Sequence, residues 1–381
     1  MNLHSRYPAL SDLKSRARRR IPHFVWEYLD SATGDESTLQ RNHDALQDVM
    51  LRTSILHGEG TPDLSTTLFG QDFPLPFGVA PVGMSGLIWP GAEHSLARLA
   101  AAEGMPYCLS TMASQTPEDL AGSLGPNAWF QLYPPRDRTI LADMLKRAKD
   151  AGFTGLILTV DVPVASRRER QIRGGMTNPP TITPKILAQM ALCPAWTNGI
   201  RKTGMPRPKL MESYTTERRV LPSNEHIGYL MRTSPDWDYL KELRDAWDGP
   251  LIVKGVMNPG DAARLSDEGV DAIWVSNHAG RQFAGSVATI AALPGIRAAT
   301  QLPVIFDSGI SGGLDILRAI ALGADFVMLG RAFHYGLGAL GDVGARHVVD
   351  LLRQDMISNM GQIGARRLGD LPATIATPTQ I

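Results

Sequence analysis

From residue 77 onward the chain alternates between two kinds of stretch. Short apolar runs rich in β-branched and aromatic residues occupy 77–81, 107–111, 128–133, 156–161, 251–256, 272–276, 304–307 and 326–330. Helical patterns of ten or so residues follow them, at 93–103, 117–123, 137–151, 236–247, 259–268, 286–300, 314–322 and 343–360. Continuous apolar strands alternating with helices predict a parallel sheet buried on both faces. Eight such units over about 255 residues match a closed (β/α)8 TIM barrel, an α/β fold, across 75–381. An open doubly wound sheet would show a Gly-rich GxGxxG turn after its first strand, and none occurs there.

Two regions break the rhythm. Residues 1–74 read as an N-terminal helical extension packed on the barrel. One helix is predicted over 8–30, with Ser11 as a cap and Leu13, Ala17 and Ile21 in its apolar stripe. A second opens at Asp35-Glu36-Ser37-Thr38 and runs to about Val49; a connecting segment covers 52–74. The other break is an insert at 162–235, after the fourth strand, and loops this long are usually functional or disordered.

Charge changes the picture of that insert. The whole chain is neutral, with 38 basic and 38 acidic residues, so nothing points to a nucleic-acid partner. Yet 166–220 holds eleven Lys or Arg against three Glu and no Asp, a local excess of +8. The same segment carries the apolar piece Ile186-Leu187-Ala188-Gln189-Met190-Ala191-Leu192 and then Trp196. The insert is therefore either an anchor lying on an anionic membrane surface or a solvated lid over the barrel mouth. Met1 to Arg20 is rich in Arg with no apolar core, and no run is long enough to span a bilayer. A cytoplasmic location, or a peripheral one on the inner face of the cell membrane, is the expectation. Cys108 and Cys193 are too few for a disulfide framework, and no Cys/His cluster has metal spacing, so no metal is expected.

Candidate chemistry collects at the carboxyl ends of the strands, where this fold puts active sites. Those ends supply Ala80, Pro81 and Val82; Ser110; Gln131 and Tyr133; Thr159, Asp161 and, soon after, Arg168; Lys254; Ser276, His278 and Arg281; Asp307 and Gly309; Gly330 and Arg331. Each alone has an ordinary structural account, but together they favour an enzyme over a bare scaffold. The Gly-rich turns after strands seven and eight suit a phosphate, with Arg331 beside them. Arg168 and Arg281 suit a carboxylate. His278 is the obvious base near neutral pH, and Asp161 can hold its imidazole. No nucleophilic Ser or Cys arrangement appears. Proton abstraction from a carboxylic acid, with a phosphate-bearing cofactor as electron sink, is what remains.

Phe130-Gln-Leu-Tyr133, Leu158-Thr-Val-Asp161, Val253-Lys-Gly255, Ser276-Asn-His278 with Arg281-Gln282, Asp307-Ser-Gly309 and Ala321-Leu-Gly-Ala324 fall in one order along the chain. Together with Tyr28 through Asn42 they resemble the FMN-dependent (S)-2-hydroxy acid dehydrogenases and oxidases, over nearly the whole chain. The resemblance implies His278 as base and Asp161 as its partner. It implies Arg168 and Arg281 on the substrate carboxylate, with Tyr28 and Tyr133 hydrogen-bonding carboxylate or hydroxyl. Lys254 would sit by the N1/O2 edge of the flavin. Ser110, Gln131 and Thr159 would bond its ring, Ala80, Pro81 and Val82 would lie along it, and Ser276 would complete the cofactor set. Asp307 would take the ribityl hydroxyls; Gly309, Gly330 and Arg331 would take the phosphate. By a carbanion route or by concerted hydride transfer, His278 accepts a proton. A homotetramer is implied too.

Within the family, Gly83 and the later part of the insert (Cys193-Pro-Ala-Trp196, Gly204-Met-Pro206) look like mandelate and lactate dehydrogenases, whose insert associates with membranes. A dehydrogenase acting on a lactate- or mandelate-like (S)-2-hydroxy acid, with a quinone-like acceptor, is thus expected ahead of an oxygen-using oxidase. A phosphate-substrate isomerase and a weakly active flavin-binding module are the remaining alternatives. Met84, Leu87, Met112 and Val164 are candidates for the wall beside the substrate side chain. Two departures stand out: Ser311 replaces the arginine that in the family grips the FMN phosphate, and Ala284 replaces an aspartate.

Overall fold

The eight apolar runs form one closed barrel of parallel strands. They are β1 (Phe77–Val79), β2 (Tyr107–Ser110), β3 (Ala128–Leu132), β4 (Gly155–Thr159), β5 (Leu251–Val256), β6 (Ala272–Val275), β7 (Val304–Phe306) and β8 (Phe326–Leu329). Each pairs with its chain neighbour, and β8 closes on β1. The computed structural model describes residues 2–178, 181–215, 221–222 and 231–376. The fold is the predicted (β/α)8 TIM barrel.

Alternation along each strand divides the apolar residues between two cores. Cys108, Trp129, Ile157, Ile252, Trp274, Ile305, Phe326 and Met328 point into the barrel. Their neighbours Leu109, Phe130, Leu156, Val253, Ile273, Val304 and Val327 pack outward under the helices. The segment expected to be a plain connection contains a hairpin, Thr66–Leu68 with Gln71–Phe73. Its Leu68 and Phe73 join the inner core, with Phe73 packed edge-on against Phe326 at 5.3 Å. Phe326 opens β8, so the hairpin plugs the amino end of the barrel and leaves the carboxyl end as the mouth. Only two of its residues are buried apolar ones, too short a run to read as strand pattern.

The single helix predicted over 8–30 is two helices, Leu10–Arg20 and His23–Asp30. Pro22 pushes Ile21 into an extended conformation (φ −107°, ψ 149°), which ends the first. A further helix, Arg331–Leu340, follows β8 directly and meets Asp342–Ile363 at Gly341. Gly336 and Gly338 weaken its pattern in sequence, since glycine is a poor helix former. Packing explains both. A Cβ on Gly336 would lie 2.6 Å from the Gly344 carbonyl, and one on Gly338 would lie 3.1 Å from the Ala17 Cβ. The glycines let Leu10–Arg20 and Asp342–Ile363 close onto this helix.

The insert carries the helices Glu169–Gly174, Pro184–Ala191, Pro194–Thr203 and Lys209–Glu212. Its start is tied to the N-terminal extension: Arg170 pairs with Glu27 at 2.6 Å, Glu36 at 2.8 Å and Asp30 at 3.2 Å. Trp196 corrects the expectation of a tryptophan anchor. It is fully buried, donates to the Leu87 carbonyl at 2.8 Å and packs edge-on against Phe24. Ile186 and Met190 are buried as well. Of the basic excess, Arg218 and Arg219 lie outside the described residues.

Candidate active site

The inward register that fills the barrel with apolar side chains turns polar one step nearer the mouth. Two residues beyond Cys108, Trp129, Ile157, Ile252, Trp274 and Ile305 stand Ser110, Gln131, Thr159, Lys254, Ser276 and Asp307. Pleating places these on the inner face of successive strands. Above them lies a cavity of about 560 Å³, within the range of small-molecule sites.

One wall is a hydrogen-bonded row across three strands. Ser110 Oγ donates to Gln131 Oε1 at 2.8 Å, and Gln131 Nε2 donates to Thr159 Oγ1 at 3.0 Å. Next along, the buried Lys254 ammonium lies 3.1 Å from Asp307 Oδ2 and donates to Ser276 Oγ at 2.6 Å. Ser276 Oγ also accepts from the His278 amide at 3.1 Å. Ser276 is therefore set behind Lys254 and His278, supporting both.

His278 faces the cavity with its Nδ1 3.1 and 3.2 Å from the two carboxylate oxygens of Asp161. Asp161 itself stands behind the imidazole. Its approach depends on Gly255, where a Cβ would sit 2.5 Å from the Asp161 Cβ, and whose φ of +110° coincides with a register shift between β5 and β6. Burial, then Lys254 and Arg168, lower the proton affinity of His278 below the ordinary histidine value, although Asp161 opposes this. Burial works to raise the Asp161 carboxyl, but His278 and Lys254 bring it below the usual carboxylate range. Neutral imidazole beside a carboxylate, with Nδ1–H held by Asp161, leaves Nε2 as an acceptor.

Two arginines from different elements meet here. Arg168 donates from Nε to Ser166 Oγ at 3.0 Å. Arg281 donates to the Ser31 carbonyl at 2.8 Å, and its guanidinium lies 5.7 Å from the Tyr28 ring centre. Burial, Arg168 and Arg331 push Arg281 down to about 9, still a cation at neutral pH. Cations crowded this way at a cavity wall favour an anion between them. The Tyr28 hydroxyl donates to the Gly83 carbonyl at 2.7 Å, and Tyr133 lines the same cavity. Ala80, Pro81, Val82, Gly309, Gly330 and Arg331 complete the predicted lining.

Backbone strain gathers at this mouth. Of the eight described non-glycine residues with positive φ, five line the cavity: Met84, Arg168, His278, Ala279 and Ser308. Such conformations persist where the surroundings enforce them, and they cluster at functional sites. Ser308 Oγ receives the Ala279 amide at 2.9 Å and donates to Asp307 at 2.7 Å, coupling the turn after β6 to that after β7.

From the N-terminal extension, sequence reading gave Tyr28 but missed the rest of its contribution. Ser11, Lys14, Asp30, Leu39 and His43 all line the cavity. No strand-end signal marks them, because they arrive from helices packed over the mouth. Met84 and Met112 line the cavity as expected, joined by Ile88 and Met176. Leu87 is instead fully buried outside the lining, and Val164 is 73% exposed. At the two departures, Ser37 and Thr38 hydroxyls donate to the Ala284 carbonyl at 2.9 and 2.6 Å, so the backbone anchors that loop. Ser311 donates from its amide and hydroxyl to Asp315, at 2.8 and 2.6 Å.

The donor set fits a phosphate-bearing flavin. A hydrogen-bonded polar row and a buried ammonium are groups suited to a polar heterocycle. The glycine turns at Gly309 and Gly330, with Arg331 at a helix start, suit a phosphate.

Comparison with known proteins agrees. The pattern of the FMN-dependent dehydrogenase family matches residues 17–377. An L-lactate dehydrogenase of Caulobacter vibrioides (strain NA1000 / CB15N) is 39% identical over 370 residues, covering 96% of each chain. The crystal structure of a monotopic membrane protein, (S)-mandelate dehydrogenase, superposes with a TM-score of 0.90 at 33% identity, covering 97% of this chain and 98% of that one. A mandelate oxidase variant superposes with a TM-score of 0.80 at 31% identity, covering 96% and 97%.

Proposed function

The chain belongs to the FMN-dependent dehydrogenase family, and we propose that its cavity oxidises a lactate- or mandelate-like (S)-2-hydroxy acid to the 2-oxo acid. The reading is carried by one observation: the His278–Asp161 pair opens on a cavity flanked by Arg168 and Arg281. The arginines bind the substrate carboxylate, and Tyr28 and Tyr133 bond the carboxylate or hydroxyl. His278 Nε2 accepts a proton from the substrate, while Asp161 orients the ring and stabilises the imidazolium.

Bound FMN supplies the two-electron acceptor. Ser110, Gln131 and Thr159 hold its ring, with Ala80, Pro81 and Val82 alongside. Lys254, braced by Ser276 and Asp307, balances negative charge beside the ring. Asp307 takes the ribityl hydroxyls; Gly309, Gly330 and Arg331 take the phosphate. The apolar side chains Met84, Ile88, Met112 and Met176 form the wall for a substrate side chain longer than that of glycolate.

A quinone-like molecule is the proposed final acceptor, reached from an anionic membrane surface. Support for peripheral association comes from the outer face of the insert: Ile182, Leu187 and Leu192 are 54%, 53% and 81% exposed, next to the exposed Lys185. The likeness to a monotopic protein points the same way. The test is anaerobic bleaching of the protein-bound flavin by glycolate, lactate, longer aliphatic 2-hydroxy acids and mandelate. Lactate or mandelate should bleach it within the mixing time of a turnover, and His278→Ala should stay yellow in their presence. A flavin that none of them reduces ends this reading.

A further inference from the structure

The loss of an arginine at position 311 leaves a question of charge at the turn after β7. Ser311 is no substitute: its hydroxyl and amide are both committed to Asp315, which also pairs with Arg318 at 2.9 Å. Arg331 is partly committed too. Its Nε and Nη2 donate to the Leu29 and Ser31 carbonyls at 3.1 and 2.9 Å, where they cap the carboxyl end of helix His23–Asp30.

Two further side chains, the Lys14 ammonium and the His43 imidazole, reach the same cavity from the N-terminal extension. Lys14, on Leu10–Arg20, places its ammonium 5.5 Å from the ring centre of Tyr335, a lining residue. It lies 2.9 Å from Asp30 Oδ1. That carboxylate has further donors besides Lys14: the Tyr335 hydroxyl at 2.8 Å and Arg170 at 3.2 Å. His43, on Ser37–Gln47, is half-buried and lines the same cavity as Gly309 in the turn after β7. Burial and the charges of Arg331 and Lys14 lower the proton affinity of His43, which Asp315 opposes. Lys14, His43 and Arg331, from three helices, line the same cavity as Gly309 and Gly330, and Asp30 and Asp315 each have a further cationic partner, Arg170 and Arg318.

We propose that Lys14 and His43 hold the phosphate of the bound flavin mononucleotide in place of the missing arginine, making the N-terminal extension part of the cofactor site. This rests on FMN being the cofactor. It makes a prediction that a purely structural role for the extension does not: the two side chains should discriminate FMN from riboflavin, which has the same ring and ribityl chain but no phosphate.

The experiment strips flavin from the full-length protein and titrates the apoprotein with FMN and with riboflavin, following quenching of flavin fluorescence. Lys14→Met should weaken FMN by roughly ten- to a hundredfold, the worth of one charge-assisted hydrogen bond, and leave riboflavin unchanged. His43→Gln should act in the same direction. Adding Ser311→Arg to Lys14→Met should restore FMN affinity. Unchanged FMN binding in Lys14→Met, or equal losses for both flavins, overturns the proposal. Failure of the unaltered apoprotein to bind FMN at all would instead overturn the cofactor assignment.

Discussion

The Nδ1 atom of His278 lies 3.1 and 3.2 Å from the two oxygens of the Asp161 carboxylate. A carboxylate in this position fixes the tautomer and favours the protonated ring, so its removal should show in rate and in pH dependence. Asp161→Asn is expected to lower the rate of flavin reduction by roughly 10²–10⁴-fold, the scale of general acid–base catalysis. In the unaltered protein the acid limb of kcat/KM should fall below the ordinary histidine value of 6.5, because burial depresses His278. Only the neutral ring accepts a proton, so activity rises with pH through that limb. Asp161 opposes the depression, so Asp161→Asn should shift the limb further to acid. A limb that stays fixed would separate Asp161 from the chemistry.

Gly255 controls whether that pair forms. An alanine there must clear the Asp161 Cβ, 2.5 Å away, from a backbone at φ +110° that disfavours any side chain. Gly255→Ala should therefore reduce flavin reduction nearly as far as Asp161→Asn does. Flavin affinity should change less, since the polar row at Ser110, Gln131 and Thr159 is on other strands and only Lys254 of the proposed ring contacts shares β5 with Gly255. Flavin-reduction rates measured beside FMN titrations will tell the two effects apart.

The same strand geometry explains what could be read in advance. A polar residue two positions beyond an inward apolar one, repeated on six strands, is visible in sequence. So are the histidine and arginine after β6. What could not be read comes from elements with no strand register to place them. Lys14 and His43 reach the mouth through helix packing, and Trp196 is hidden by Phe24 and Leu87 across the fold. The helix Arg331–Leu340 was obscured by Gly336 and Gly338, whose presence serves contact with Gly344 and Ala17. In each case the decisive partner is distant in the chain.

Arg168 and Arg281 should respond differently to substitution. The Arg168 side chain donates to Ser166, a local contact two residues away, so Arg168→Met should chiefly raise KM, with kcat/KM down roughly tenfold to a hundredfold. Arg281 also caps the helix His23–Asp30 through the Ser31 carbonyl. Arg281→Lys keeps the charge but loses the planar fork that can serve carboxylate and carbonyl together. It should lose kcat/KM and melting temperature in one step, whereas Arg168→Met should keep the melting temperature. Steady-state kinetics and thermal unfolding on both variants decide this.

His334 links the turn after β8 to that after β1, with Nδ1 2.8 Å from the Gly330 carbonyl and Nε2 2.8 Å from Ser85 Oγ. Burial brings its pKa down to about 4. In the unfolded chain it titrates near 6.5. Above that value both states are neutral there; below it the unfolded chain takes up a proton that the native state refuses. Stability is therefore present above pH 6.5 and lost as pH falls toward 4, on the order of 3 kcal/mol for this group alone. His334→Gln should flatten that part of the pH–stability curve measured by urea unfolding. An unchanged slope would assign the acid sensitivity to other groups.

The insert offers two kinds of apolar residue, and they should fail in opposite ways. Leu187 and Leu192 are exposed, as is Lys185 close by in the chain, whereas Trp196 is fully buried against Phe24. Charges on the outer face cost little folding energy, because those side chains already meet water, but they oppose entry into a headgroup layer. Leu187→Glu with Leu192→Glu should abolish sedimentation with phosphatidylglycerol vesicles while keeping bound flavin and melting temperature. Trp196→Ala removes a packed indole and its bond to the Leu87 carbonyl, a loss of about 3–5 kcal/mol. It should loosen the docking of the insert on the extension and expose the insert to limited proteolysis. If the unaltered protein fails to sediment with anionic vesicles, the outer face is an ordinary solvated surface and the proposal of membrane contact falls.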